Sequence, residues 1–168
     1  PFQIDDIRAA LALKNFDVQA ARQRMSPVPR GFRPQYTNTG SPREASVMIL
    51  LYPQPAAPAN GGLSFVLMQR TENPHDVHSG QISLPGGSRE SDETLLETAC
   101  RETAEELGVT DGIEILGTLP TFYIPPSGFN VLPVVGWRAE APIWKPDPSE
   151  VVVVVECPLA WLVDDDHK

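Results

Sequence analysis

Apolar and polar positions change period several times along this chain. Residues 4–13 (IDDIRAALAL) and 18–25 (VQAARQRM) predict two short helices joined near Asn15 and Phe16. Residues 26–45 are rich in Pro, Gly and Ser and read as an extended linker or wrapping loop. Residues 1–44 therefore read as an N-terminal helical extension with its linker, and 45–168 as the main domain. In that domain ASVMILLYP (45–53) and GLSFVLMQR (62–70) are apolar runs flanking a Pro- and Gly-rich turn. They predict buried strands paired as a hairpin. A short strand is expected at 81–84, then a Gly turn, then a helix over 91–107. Ser91 or Asp92 would cap that helix and Gly108 would stop it. Further strands are expected at 112–119, 131–140 and 150–159, the last running into a short helix-like end. Pro133 predicts that the second of these lies near an edge or a bulge. Strands in sequence around one long helix predict an α/β fold, a mixed sheet with helices on its faces.

The helix over 91–107 carries an unusual density of acid. Glu93, Glu97, Glu102, Glu105 and Glu106 fall within about four turns. Leu96, Cys100, Thr103 and Leu107 repeat at helical spacing and predict the stripe that faces the core. At about 100° per residue, Glu102, Glu105 and Glu106 form a second stripe about a third of a turn away. Glu97 and Arg101, spaced i, i+4 with the acid first, predict a surface ion pair on a third side. Three carboxylates at i, i+3 and i+4 repel one another unless they are solvated or share a cation. The Gly-rich turn Leu84-Pro85-Gly86-Gly87 just before them favours the metal site over the wet surface.

The segment from Gly87 to Val109 resembles the Nudix box, G-x5-E-x7-R-E-U-x-E-E-x-G-U, where U is a bulky apolar residue. Gly87, Glu93, Arg101, Glu102, Glu105, Glu106, Gly108 and Val109 stand in register. Thr103, at the first U position, is the one departure, and its methyl can still face the core. The resemblance implies a loop-helix-loop catalytic segment in a Nudix-like α/β/α sandwich. It also implies a hydrolase that cleaves a nucleoside diphosphate linked to another group. Glu102, Glu105 and Glu106 would be the metal ligands, helped by a backbone carbonyl near Gly86 or Gly87. With Arg101 they form the catalytic set, although Glu93 and Arg101 are expected to support the loop and helix. Hard carboxylate oxygens, with no His or Cys at ligand spacing, predict Mg²⁺ or Mn²⁺ rather than zinc. Such a fold has a further helix near its C-terminus on the opposite sheet face. None is predicted before Lys168, so either a C-terminal segment lies outside this sequence or the N-terminal helices cover that face.

Composition narrows the partners. The 168 residues include 13 Lys and Arg against 22 Asp and Glu, a formal net charge of −9. That balance disfavours nucleic acid and anionic membranes, both of which need a basic face. It admits a small anionic substrate if metal screens the site. No apolar run is long enough to span a bilayer. Cys100 and Cys157 make no disulfide framework, and a cytoplasmic setting follows by default. A homodimer remains open.

Residues before the box resemble the motif of the coenzyme A pyrophosphatase branch, LLTxR(SA)x3Rx3Gx3FPGG. Arg70, Gly80, Pro85, Gly86 and Gly87 match it. Thr71-Glu72 replace its Ser-Ala, Leu84 its Phe, and Asp76 its second Arg, which reverses a local charge. The resemblance extends over about residues 45–163 and implies coenzyme A or an acyl-coenzyme A as substrate, cut to phosphopantetheine and an adenosine bisphosphate. Asp76 favours other nucleotides: a nucleoside diphosphate sugar, a dinucleotide or a modified triphosphate. A Nudix-like module that binds without cleaving ranks last, because all box carboxylates are present. Candidate substrate contacts are Arg70, Gln81, Gly87, Ser127 and Phe129. Arg70 either binds phosphate or pairs with a carboxylate. Gln81 either meets substrate or lies exposed. Ser127 and Phe129 lie either at a substrate-binding loop tip or in a tight turn with the ring in the core. His78 is expected to be a loop residue satisfied by hydrogen bonds, and Trp137, Trp144 and Trp161 are expected to pack.

Overall fold

The computed structural model describes residues 2–25, 40–54, 62–74 and 77–164. Asp76 lies outside the described residues. Helices α1 (Ile4–Leu11) and α2 (Val18–Met25) come first, where the sequence places them. Then follow β1 (Arg43–Pro53), β2 (Leu63–Arg70), β3 (Ile82–Ser83), β4 (Gly86–Ser88) and helix α3 (Leu95–Leu107). Strands β5 (Glu114–Thr118), β6 (Phe122–Ile124), β7 (Phe129–Trp137) and β8 (Val151–Pro158) complete the mixed sheet, and a 3₁₀ turn covers Leu159–Leu162.

The longest ladder joins β1 and β7 in parallel, from Arg43↔Phe129 to Leu51↔Trp137. The predicted hairpin forms, but β1 and β2 pair only near the turn, from Leu51↔Phe65 to Pro53↔Leu63. Beyond that they part. β2 takes β3 as its neighbour at Met68↔Ser83, and β1 takes β4 at Val47↔Gly86. The segment between β3 and β4 is thus wedged into a split in the sheet. Both faces of the sheet are apolar, as the near-continuous apolar runs require. Met48, Leu50 and Tyr52 of β1 point to one face and pack with Val66, Met68 and Val134 under Ala99 and Leu107 of α3. Leu51, Phe65, Val135 and Cys157 point to the other face, where Ile7 and Leu11 of α1 pack against them. An N-terminal helix therefore lies on the face opposite α3.

Several expectations need correction. β7 is central, not at an edge: β1 flanks one side, and β5 and β6 flank the other, while the other alternative, a bulge, is met by the register shift in β5 opposite Gly136 and Val135. Pro133 fits there because it falls in the gap between the end of β5 pairing at Val134 and the start of β6 pairing at Val131. Its carbonyl accepts from Leu119 N–H at 2.9 Å, and the reciprocal bond, which a proline cannot donate, falls in that gap. β6 and β4 are too short to show a period of their own. α3 begins at Leu95 rather than 91, with Thr94 as its cap: the Thr94 hydroxyl accepts from Glu97 N–H while the Glu97 carboxylate accepts from Thr94 N–H at 2.7 Å. That capping box takes Glu97 away from the ion pair expected with Arg101. The buried stripe of α3 is also rotated. It runs through Thr98, Ala99, Thr103, Glu106 and Leu107, while Leu96 is 40% exposed and Cys100 is half-buried. Thr103 is fully buried, with its hydroxyl donating to the Ala99 carbonyl.

Candidate functional site

Rotation of α3 puts one carboxylate of the trio into the core. Glu106 is 1% exposed. Its Oε2 accepts from Gly86 N–H at 2.8 Å, and its Oε1 lies 3.4 Å from Arg70 Nη1. Burial pushes its carboxyl up to about 8, against the pull of the Gly86 amide and the Arg70 charge. Burial also raises Glu102, and its neighbour Arg101 opposes that rise. Glu105 lies further out, with a 57% exposed side chain.

Arg101 is the hub of the acidic face. Its Nε and Nη2 fork onto Glu93 at 3.0 and 2.8 Å, and its Nη1 reaches Glu102 at 3.0 Å and Glu105 at 2.9 Å. Nη2 also donates to the Ser88 carbonyl at the end of β4. The hydrogen bonds to Arg101 hold Glu93 down at about 2. Glu93 further accepts from Glu90 N–H and the Thr98 hydroxyl. This set of bonds pins the loop between β4 and α3 to the helix.

The two glycines set how closely the loop approaches. A Cβ on Gly86 would collide with the Ser46 carbonyl and with Val47, both backbone obstacles on β1. A Cβ on Gly87 would meet the Glu102 carboxylate, the far end of a flexible side chain. So Gly86 is required by the sheet, and Gly87 by the carboxylate.

A cleft of about 620 Å³ opens in the split between β1 and β2. Arg70, Gln81, Gly87, Ser127 and Phe129, the five candidate substrate contacts, all line it, and so does Gly86. Its lining includes two arginines and no Asp or Glu among the described residues, in a chain of net charge −9. His78 lines it too, with Nδ1 3.1 Å from Gln81 Oε1. Phe129 is half-buried on the cleft wall rather than in the core, after a tight turn closed by Gly128 N–H to the Ile124 carbonyl. Trp137 and Trp144 pack on opposite faces of the sheet, while Trp161 is 43% exposed. Sequence reading missed Arg43. Its guanidinium lies 4.0 Å from the centroid of the Phe129 ring and donates to the Ser127 carbonyl. Only the parallel β1–β7 pairing brings these residues together, and no local signal marks it.

Glu102, Glu105, Glu106 and a Gly86 carbonyl are the groups here that could hold a divalent cation. The donor set suits one: hard oxygens, two of them on carboxyls that burial has pushed up, which a nearby positive charge would ionise. In this arrangement Arg70 and Arg101 stand beside them, and burial still outweighs their pull. Among the described residues no three His, Cys, Asp or Glu side chains converge to hold a metal ion, and Arg101 bridges Glu102 and Glu105.

Comparison with known proteins agrees with this geometry. The NUDIX domain family matches residues 42–167. An uncharacterised Nudix hydrolase, NudL, of Pectobacterium atrosepticum is 32% identical over 154 residues, covering 89% of this chain and 71% of that protein. NudL of Salmonella paratyphi B is 36% identical over 133 residues, covering 76% of this chain and 64% of that protein, so the chain spans about two thirds of these relatives. Among solved structures, the Mycobacterium smegmatis Nudix hydrolase RenU superposes with a TM-score of 0.58 at 22% identity, over 73% of this chain and 74% of that one. The NUDIX domain of Shewanella oneidensis NrtR, complexed with ADP ribose, gives 0.51 at 22% identity over 86% of each chain. At such identities these two structures speak for the fold alone. The family match and the NudL identity, taken with the box residues gathered around the split sheet, place this chain in the Nudix hydrolase family.

Proposed function

We propose that this domain is a divalent-metal-dependent pyrophosphohydrolase acting on coenzyme A or an acyl-coenzyme A. The observation that carries the reading is the cleft with Arg70, without acid among its described lining residues, which meets the carboxylate face of α3 across Gly86 and Gly87. Arg70 binds a diphosphate oxygen from the end of β2. Glu102, Glu105 and Glu106 would hold the metal. A bound Mg²⁺ or Mn²⁺ would offset the diphosphate charge and lower the pKa of an attacking water. Arg101 keeps the carboxylates in place through Glu93 and Ser88. Water adds to one phosphorus, the bridging P–O bond breaks, and the products are phosphopantetheine and an adenosine bisphosphate. The free thiols of Cys100 and Cys157 suit a reducing compartment, and we place the protein in the cytoplasm.

A second substrate reading rests on Asp76, an acid where the coenzyme A motif has a cation. It gives the same chemistry on another diphosphate-linked nucleotide, of the kind present in the NrtR complex with ADP ribose. The test is a panel of diphosphate substrates with Mg²⁺, with Mn²⁺ and with EDTA. Coenzyme A at the head of the panel supports the first reading. A nucleoside diphosphate sugar or dinucleotide at its head supports the second. No turnover of any member leaves only a binding module. Asp76→Arg sharpens the choice, with a gain confined to coenzyme A expected if this position tunes recognition.

A further inference from the structure

The cleft holds a second cation that the hydrolytic reading does not use. Arg43 opens β1, four residues before Val47, which pairs with Gly86. Along an extended strand that is about 13 Å from the carboxylate end of the site. The Arg43 guanidinium is fixed in advance: the Phe129 ring lies under it at 4.0 Å, and the Ser127 carbonyl accepts from its Nη2 at 3.2 Å. These contacts occupy one ring face and one donor of a group with five N–H donors. No carboxylate of the described residues pairs with it, whereas nearby Arg89 is paired with Glu44 at 2.8 Å. Neither the Nudix box nor the motif before it includes this position.

We propose that Arg43, backed by Phe129 and Ser127, is a second anion-binding group that selects substrates bearing a phosphate outside the scissile diphosphate. The inference rests on the diphosphatase reading and deepens it. Two arginines lining one cleft suit a nucleotide with a 5′-diphosphate at the Arg70 end and a phosphate monoester on its ribose, met by the long Arg43 side chain. Coenzyme A has that second phosphate, and dephospho-coenzyme A lacks it. Stacking on Phe129 keeps the guanidinium plane oriented, so little freedom is lost when a phosphate docks. An extra charge-assisted contact of this kind predicts discrimination of about tenfold or more.

The test compares coenzyme A with dephospho-coenzyme A in the wild type, Arg43→Ala and Arg43→Lys. Binding of adenosine 3′,5′-bisphosphate and of adenosine 5′-monophosphate is measured calorimetrically on the same proteins. In the wild type kcat/KM is expected to favour coenzyme A by about tenfold or more. Arg43→Ala collapses that ratio, Arg43→Lys retains part of it, and the bisphosphate loses its binding advantage in parallel. Thermal unfolding of each variant separates a lost contact from a lost fold. Equal kcat/KM for the two substrates in the wild type, or an Arg43→Ala loss shared equally between them, overturns the proposal. Turnover and binding fail independently. A wild type that cleaves nothing yet binds the bisphosphate more tightly in an Arg43-dependent way sinks the hydrolase reading and keeps the subsite. Equal binding of bisphosphate and monophosphate sinks the subsite whatever the turnover.

Discussion

Glu106 concentrates the physical argument in one side chain. Its spacing from Glu102 was plain in the sequence, but its burial was not, because a glutamate reads as surface unless its phase is checked. The signal was there: Glu106 falls three residues after Thr103 and next to Leu107, on the stripe that packs inward. Burial has a consequence for stability. Its folded pKa, about 8, stands above the ordinary 4.5, so the folded state holds the proton more tightly. That contribution is complete below about 4.5 and is lost as pH rises through about 8. Metal-free protein is therefore expected to lose stability between these limits. Glu106→Gln should flatten the slope and be at least as stable as wild type at pH 8 in EDTA, while losing turnover. Denaturant melts across pH check this, and an unchanged slope in the variant contradicts it. Glu105 is the complement, exposed and outside the core. Glu105→Gln is expected to cut turnover by orders of magnitude and to leave the melting temperature within a degree or two of wild type.

At the level of elements, the glycine loop and the helix cap each make a claim. Gly86→Ala pushes a Cβ into β1 backbone, and a loss of about 1–3 kcal/mol is expected in urea unfolding. Gly87→Ala displaces only the Glu102 carboxylate. It should leave stability nearly intact and reduce kcat/KM by up to about a hundredfold, the scale of a small misplacement at a reacting centre. If the two variants behave alike, the distinction between sheet and carboxylate is wrong. Thr94→Ala removes the α3 cap and should lower stability by about 1 kcal/mol. Long apolar runs made β1, β2 and β8 readable, and the Gly108 stop made the end of α3 readable. The cap was not readable, because Ser91, Asp92 and Thr94 all suit the role and only the box with Glu97 chooses between them. β4 and β6 have three residues each, too few to show alternation, so the wedge that makes the cleft could not be foreseen.

The whole molecule combines an acidic surface with a cleft whose described lining has no acid. The sequence carried the net charge and the Arg70 end of that cleft. It did not carry the Arg43 end, which depends on a parallel pairing between segments 86 residues apart (Arg43 with Phe129, 129 − 43). The second sheet face shows the same limit, since nothing local tells α1 that Leu51 and Val135 are its partners. The N-terminal helices are proposed to be an extension, and α1 covers that face without touching the chemistry, whereas Arg43 and Glu44 belong to β1 and the main domain. Leu11→Ala is then expected to speed amide exchange in α1, and to leave kcat/KM within about twofold of wild type, as for a substitution away from the site. On the proposed chemistry, carboxylates beside a glycine bend grip a divalent cation and so make a diphosphate cleavable. Its most direct measurement is the rate of diphosphate hydrolysis as Mg²⁺ is removed by EDTA and then restored. Loss of turnover and full recovery with excess Mg²⁺ are expected. Turnover that persists through chelation would contradict it.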